Sequence, residues 1–287
     1  MIDLAVNSRI IHDVGLVIFD KDGTLIELYT YWSQMVALRA RIICETLGLG
    51  TEHQAGLRWA LGVDEKAGRL RQDGPVGLKK REIVLKAATD YLEGIGYQDT
   101  LAICEHAFDR ADEISINTLG QFIRPIQGAV SLLSALREHG CRVALATVDV
   151  SRRAALTMQF LGVIDTLDLI VGGEEVVHSK PDPEMIHIIL DRLRIGRSQA
   201  IMVGDALTDV QMGINADLKA SVGVLTGFAS AEQLRTLTPF IARDVSEIST
   251  RPSSVFPSPP ILGERFTRLW RRRRRPGAGS GGCMVKN

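Results

Sequence analysis

The apolar and polar positions are most sharply patterned at residues 17–27, VIFDKDGTLIE, where three apolar residues run into two aspartates two positions apart and a Gly-Thr turn follows. A short apolar run closed by a turn signal reads as a buried strand whose polar successors emerge at the sheet rim. Asp20 and Asp22 then aim at one small volume, with Lys21 directed elsewhere. Beyond this strand the period becomes helical. Tyr31, Met35, Leu38, Ile42 and Leu49 keep to one face. Val84, Ala87, Ala88, Tyr91, Leu92 and Ile95 form a second stripe, and Leu101, Cys104, Phe108, Ala111 and Ile114 a third. Residues 26–124 are far too many for a loop and predict a small helical domain inserted after the first strand.

From Pro125 onward, strand and helix patterns alternate. A helix over 127–139 closes at Gly140, an apolar strand covers 141–147, and Ser151 stands ready to cap a helix that runs to 161. The strand LDLIVGG, a helix over 183–193, the strand AIMVGD, a helix over 209–216 and the strand ASVGVLTG follow. Repeated βα units of this length build a parallel sheet with helices on both faces. The expected fold class is therefore α/β, a Rossmann-like parallel sheet core made by residues 1–25 and 125–249, with the helical unit at 26–124 inserted into it. Residues 250–287 read as a Pro- and Ser-rich linker followed by an Arg-rich tail.

Charge sharpens that division. The 287 residues have zero formal net charge, yet residues 1–250 carry 25 Lys and Arg against 33 Asp and Glu, and the remainder carries nine against one. An acidic body argues against nucleic-acid binding. In the tail, Leu262, Phe266, Leu269 and Trp270 fall at helical spacing beside Arg265, Arg268 and the run 271–275, a pattern that suits an anionic membrane surface. The flanking Pro and Gly favour the plainer reading, a tail without function. Cys44, Cys104, Cys141 and Cys283 show no CxxC spacing and read as reduced thiols, and Cys283 lies too far from the end for a prenylation box. The first residues lack the apolar core of a secretory signal, so the expected location is cytoplasmic.

Polar residues recur at the ends of the expected parallel strands: Asp20 and Asp22, then Thr147, Lys180, and Asp205 with Asp209. Each alone is commonly a turn, cap or surface residue. Jointly, on the carboxyl rim where α/β sheets bind ligands, they make a site. Their order resembles the haloacid dehalogenase superfamily, in its phosphatase branch. DKDGTL matches the first motif, Thr147 the second, Lys180 the third and GDALTD the fourth, over residues 14–230. The inserted helices are similar to the C1-type cap of the branch containing phosphoglycolate phosphatases and β-phosphoglucomutases.

The resemblance implies a division of labour. Asp20 is the nucleophile that forms an aspartyl-phosphate, Asp22 the general acid and base, and Thr147, Val148 and Lys180 hold the phosphoryl group. It also implies Mg²⁺, ligated by Asp20, the backbone carbonyl of Asp22 and Asp205, with Asp209 ligating or supporting. Asp22 favours phosphate esters, since dehalogenases and phosphonatases lack a carboxylate there. Val148 departs from the small polar residue common in relatives. In the inserted domain, Arg71, Lys79, Lys80 and Arg81 either reach for an anionic substrate or merely face water. The resulting expectation is a Mg²⁺-dependent phosphatase for a small phosphorylated metabolite, phosphoglycolate-like or a sugar phosphate. A sugar phosphomutase and a catalytically inactive binding protein are the alternatives. The natural substrate and the oligomeric state stay open.

Overall fold

Strand Leu16–Phe19 is short and buried at every position, as its sequence LVIF demands. The structure is a computed structural model that describes residues 1–252, apart from the side chains of Leu119 and Pro252. In it this strand lies inside a six-stranded sheet whose neighbouring strands all pair in parallel. The order across the sheet is Phe240–Ala242, Ala220–Val224, Ala200–Gly204, Leu16–Phe19, Arg142–Ala146 and Leu169–Val171. The chain thus winds outward from Leu16–Phe19 on one side, then crosses back to Ala200–Gly204 on the other and winds outward again. That reversal opens a crevice at the carboxyl ends of Leu16–Phe19 and Ala200–Gly204, the usual ligand position in open α/β sheets.

Alternation along each strand feeds two cores. Val17 and Phe19 join Val143, Leu145, Ile201 and Val203 on one face. Leu16 and Ile18 join Ala144, Ala146 and Met202 on the other. Phe19 is level with Leu145 and Val203 in the two ladders, so Asp20 leaves its strand beside Ala146 and Gly204.

The inserted segment builds a third core around Tyr31, Met35, Leu57, Leu92 and Phe108. Its helices are Leu28–Leu47, Thr51–Leu61, Arg81–Gly94, Leu101–Asn117 and the short Leu119–Phe122. The helical period does not hold throughout. Strands Val63–Asp64 and Arg69–Leu70 form an antiparallel hairpin, and turns continue to Lys80. Gly62, with φ of 107°, ends the preceding helix, and a side chain there would meet Gly74 Cα at 3.1 Å, so the backbone itself closes this corner. The insertion leaves and rejoins the sheet side by side: Glu27 N donates to Arg124 O at 2.8 Å, and Ile126 N to Leu25 O at 2.9 Å.

Other differences from the sequence reading have local causes. Ile2–Val6 and Arg9–Val14 are strands, and with Ile248–Pro252 they make a separate antiparallel sheet. That last strand runs past the boundary expected at 249. Ser151 does not cap its helix: Val150 holds the cap position, and the Ser151 hydroxyl donates to Glu174 instead. The expected tail, with Leu262, Trp270 and the arginine run, lies outside the described residues. No helix among the described residues is long and apolar enough to cross a membrane.

Candidate active site

Four strand ends deliver the site. Asp20 follows Leu16–Phe19 and is anchored by its own N–H to Val203 O at 2.9 Å. Its carboxylate accepts from Lys180 Nζ at 2.5 Å, and the same ammonium donates to Asp209 at 2.8 Å. Asp209 sits in the first turn of helix Leu207–Asn215, where its other oxygen accepts from Ala206 N at 3.0 Å. Asp205 is 1% exposed and accepts from Thr24 Oγ1 at 3.2 Å and from Phe228 N at 2.9 Å. Asp20, Asp205 and Asp209 each hold a carboxylate oxygen within 4.8 Å of the others.

This packing of carboxylates depends on residues that expectation did not single out. Gly23 has φ of 91°, and a Cβ on it would lie 2.6 Å from the Asp205 carboxyl carbon. A Cβ on Gly227 would strike the same carboxylate at 1.8 Å. Thr226 closes the arrangement by donating its hydroxyl to Gly23 O. The D-G-T of the opening motif is thus a turn whose glycine makes room for a second acid, and Thr24 orients that acid.

Crowding shifts the protonation of the cluster. Burial, with the negative charges of Asp209 and Asp22 nearby, pushes the Asp20 carboxyl up to about 7 despite the opposing pull of Lys180. Burial and the charges of Asp209 and Asp20 raise Asp205 well above the ordinary carboxylate range. Burial works to strip the Lys180 proton, but Asp20 and Asp209 overcome it and hold Lys180 charged. Three acids facing one ammonium leave an excess of negative charge in an all-oxygen pocket. Such a donor set fits Mg²⁺, which takes few carboxylates together with water and phosphate oxygens.

Asp22 stands apart from that set. Its carboxylate is buried, and its charge partner is Lys21 Nζ, 3.1 Å away. Lys21 is not directed elsewhere: it is fully buried and donates to Asp149 at 2.8 Å beneath the Tyr31 ring. Strand alternation fails to place it because the strand ends at Phe19 and the chain bends. Thr147 follows the adjacent strand, is 1% exposed, and its hydroxyl accepts from Asp149 N at 3.2 Å. Val148 is half-buried, its carbonyl close against Gly173.

The basic residues of the insertion mostly have structural partners. Arg81 pairs with Asp109 and Asp112, and Lys80 donates to the carbonyls of Val176 and Val177. Arg71 stacks on Trp59 and pairs with Asp73, on the wall of a cleft of about 620 Å³. Tyr29, Gln72, Thr226, Gly227 and Phe228 also line this cleft, which therefore adjoins the Asp205 carboxylate through Gly227. Lys79 is exposed, as a water-facing charge would be.

A family model described as haloacid dehalogenase-like hydrolase matches residues 14–217, which span all four strand ends. The chain belongs to that family. Among curated relatives, it is 32% identical over 117 residues to a probable phosphatase, IndB, of Dickeya dadantii, covering 41% of this chain and 50% of that protein. It is 31% identical over 112 residues to the phosphoglycolate phosphatase of Psychrobacter arcticus, covering 39% and 48%. The chain thus spans about half the length of these relatives. Among solved structures, one titled a predicted phosphoglycolate phosphatase, from Haemophilus somnus, superposes with a TM-score of 0.65 at 18% identity. That match covers 82% of this chain and 96% of the other, and it shows the shared fold of haloacid dehalogenase-like hydrolases.

Proposed function

We propose that this protein is a Mg²⁺-dependent phosphatase that hydrolyses a small phosphorylated metabolite through an aspartyl-phosphate on Asp20. The observation that carries the reading is the Asp20 carboxylate held against Lys180 beside Asp205 and Asp209, with a second carboxylate, Asp22, two residues on. Asp20 attacks phosphorus in line with the leaving oxygen. Lys180 neutralises the charge that gathers on the phosphoryl oxygens and on Asp20 as the bond forms. Asp22 protonates the departing oxygen and then takes a proton from the water that cleaves the aspartyl-phosphate. Thr147, with the backbone at Val148, holds phosphoryl oxygens at the end of the adjacent strand. Asp20, Asp205, Asp209 and the Asp22 carbonyl would hold the metal, which when bound would neutralise phosphoryl charge.

Residues 26–124 act in this reading as a cap over the core formed by residues 1–25 and 125–249. The cleft between them takes the rest of the substrate. Relatives named phosphoglycolate phosphatases support a small phosphorylated acid as the class, with a sugar phosphate next. We place the enzyme in the cytoplasm, a reading that the free, buried thiols of Cys44, Cys104 and Cys141 support. The test is release of inorganic phosphate from a panel of phosphorylated acids, sugars and nucleotides, with acid quench to trap phosphoenzyme. Absence of phosphate release from every member with Mg²⁺ present overturns the proposal.

A further inference from the structure

Asp22 presents a physical problem. Its carboxylate is buried, yet neither oxygen takes a hydrogen bond from the protein. A buried charge in that state is costly unless something compensates it. Lys21 compensates it in an unusual way. The ammonium lies 3.1 Å from Asp22 Oδ1 but gives its hydrogen bond to Asp149 Oδ2 at 2.8 Å. Asp22 thereby gains a counter-charge at Oδ1 while its other oxygen, Oδ2, is left for a substrate oxygen.

Asp149 is fixed in turn. Its other carboxylate oxygen faces Arg153 Nε at 2.9 Å, and it accepts from the Val150 N–H at 2.8 Å. Arg153 reaches Asp112 at 2.5 Å, on a helix of the insertion. Signs alternate from Asp22 through Lys21, Asp149 and Arg153 to Asp112, which is how so many buried charges coexist. The Tyr31 ring, 4.7 Å from Lys21 Nζ, closes the remaining side of the ammonium. Lys21 therefore has little room to move, and neither does the carboxylate it faces.

We infer that Lys21 and Asp149 form a positioning pair that sets the orientation of the Asp22 carboxylate toward the leaving oxygen. The inference rests on the acid-base role proposed for Asp22. Lys21 touches neither the metal nor the phosphoryl group in this account and acts only through Asp22. Displacing an acid by about 1 Å costs on the order of 100-fold in rate. In the phosphoryl-transfer step such a loss falls on esters whose leaving oxygen needs a proton and spares those whose leaving oxygen does not, while the later hydrolysis of the aspartyl-phosphate is common to both.

The experiment compares p-nitrophenyl phosphate, whose leaving group departs readily, with phenyl phosphate, whose leaving group needs protonation. Wild type, Lys21→Met, Asp149→Asn and Asp22→Asn are assayed with Mg²⁺, and folding is checked by circular dichroism. Lys21→Met is expected to lose about tenfold more kcat/KM, which reads phosphoenzyme formation, with phenyl phosphate than with p-nitrophenyl phosphate, part of the roughly 10²- to 10⁴-fold range of acid catalysis. Asp149→Asn keeps the side-chain shape and should show the same selectivity at smaller size, so it carries the test if Lys21→Met does not fold. Equal losses with both esters in a folded variant, beside a selective loss in Asp22→Asn, overturn the positioning role and leave the acid assignment standing. No selectivity in Asp22→Asn overturns the acid assignment and the positioning role with it.

Discussion

Replacing Asp112 by Asn tests how the inserted helices are held together and to the sheet. Asp112 collects Arg39 at 3.3 Å, Arg81 at 2.7 Å and Arg153 at 2.5 Å. Arg81 keeps Asp109 and Arg153 keeps Asp149 when Asp112 is neutralised. Arg39 is the exposed weakness of this cluster: its side chain is 3% accessible, and burial already lowers its guanidinium to about 10, with Asp112 opposing the fall. After the substitution it retains the rings of Phe108 and Trp32, which stabilise a cation weakly. Stranding one member of a buried pair costs about 3–5 kcal/mol, and a unit of this size loses about 2–4 °C of Tm per kcal/mol, so Asp112→Asn should melt roughly 6–20 °C lower. Adding Arg39→Met should recover at least half of the loss, because the stranded charge is then gone. Thermal unfolding by circular dichroism near neutral pH measures both. A Tm within about 2 °C of wild type for Asp112→Asn, or no recovery in the double variant, would refute the reasoning.

Further expectations concern chemistry, pH and chain length. Chelation of divalent metal should abolish phosphate release, and Ca²⁺ should restore it poorly because its looser coordination misplaces the phosphoryl group; full activity in chelator removes Mg²⁺ from the mechanism. Asp20→Asn should accumulate no phosphoenzyme, whereas Asp22→Asn should form it from an aryl phosphate and turn over about 10²- to 10⁴-fold more slowly; normal turnover of Asp20→Asn excludes the covalent route. In chelator the folded Asp20 carboxyl, raised by burial to about 7, binds a proton that the unfolded chain has released above its ordinary 3.8. Stability of the metal-free protein should therefore fall as pH rises through that window, and a Tm that rises instead contradicts the burial of charge at this site. A chain ended at Pro252 keeps the ladder between Ile2–Val6 and Ile248–Pro252, whereas one ended at Thr250 loses the Ile2–Pro252 and Asp3–Arg251 rungs and should melt measurably lower; equal Tm values would show that those rungs contribute nothing.

The parallel sheet and the gathering of acids at its rim were legible because both depend on local pattern. VIF before DKDGT marks a buried strand ending in a polar turn, and each later βα unit repeats that logic. What sequence spacing does not carry is pairing between distant segments. Ile2–Val6 becomes a strand because Ile248–Pro252 lies beside it, some 250 positions away. Arg81 could be read only as reaching for substrate or facing water because Asp109 and Asp112, its partners, are on another helix. Lys21 was misread for a sharper reason, since alternation stops applying at the residue where a strand bends. One signal was nevertheless present: Asp149 and Arg153 stand four apart at a helix start, the spacing of an intrahelical ion pair, just after the Thr147 strand end.

The adjacent exit and return of the inserted helices, joined by the Glu27–Arg124 and Ile126–Leu25 hydrogen bonds, has an architectural meaning. The chain passes between sheet and helical segment as between a host and a graft, through one seam where its two crossings lie side by side. A seam so narrow lets a foreign domain of any size be spliced in without asking the strands to move, provided its own termini lie close together. Rotation about this seam is held in check by the contacts that cross from the insertion to the core elsewhere, the Arg153–Asp112 pair and the Lys80 bonds to Val176 and Val177 among them. Accessory chemistry can thus be exchanged over an unchanged set of carboxylates, and a shortened loop between Leu25 and Ile126 would leave a continuous sheet for such transplants.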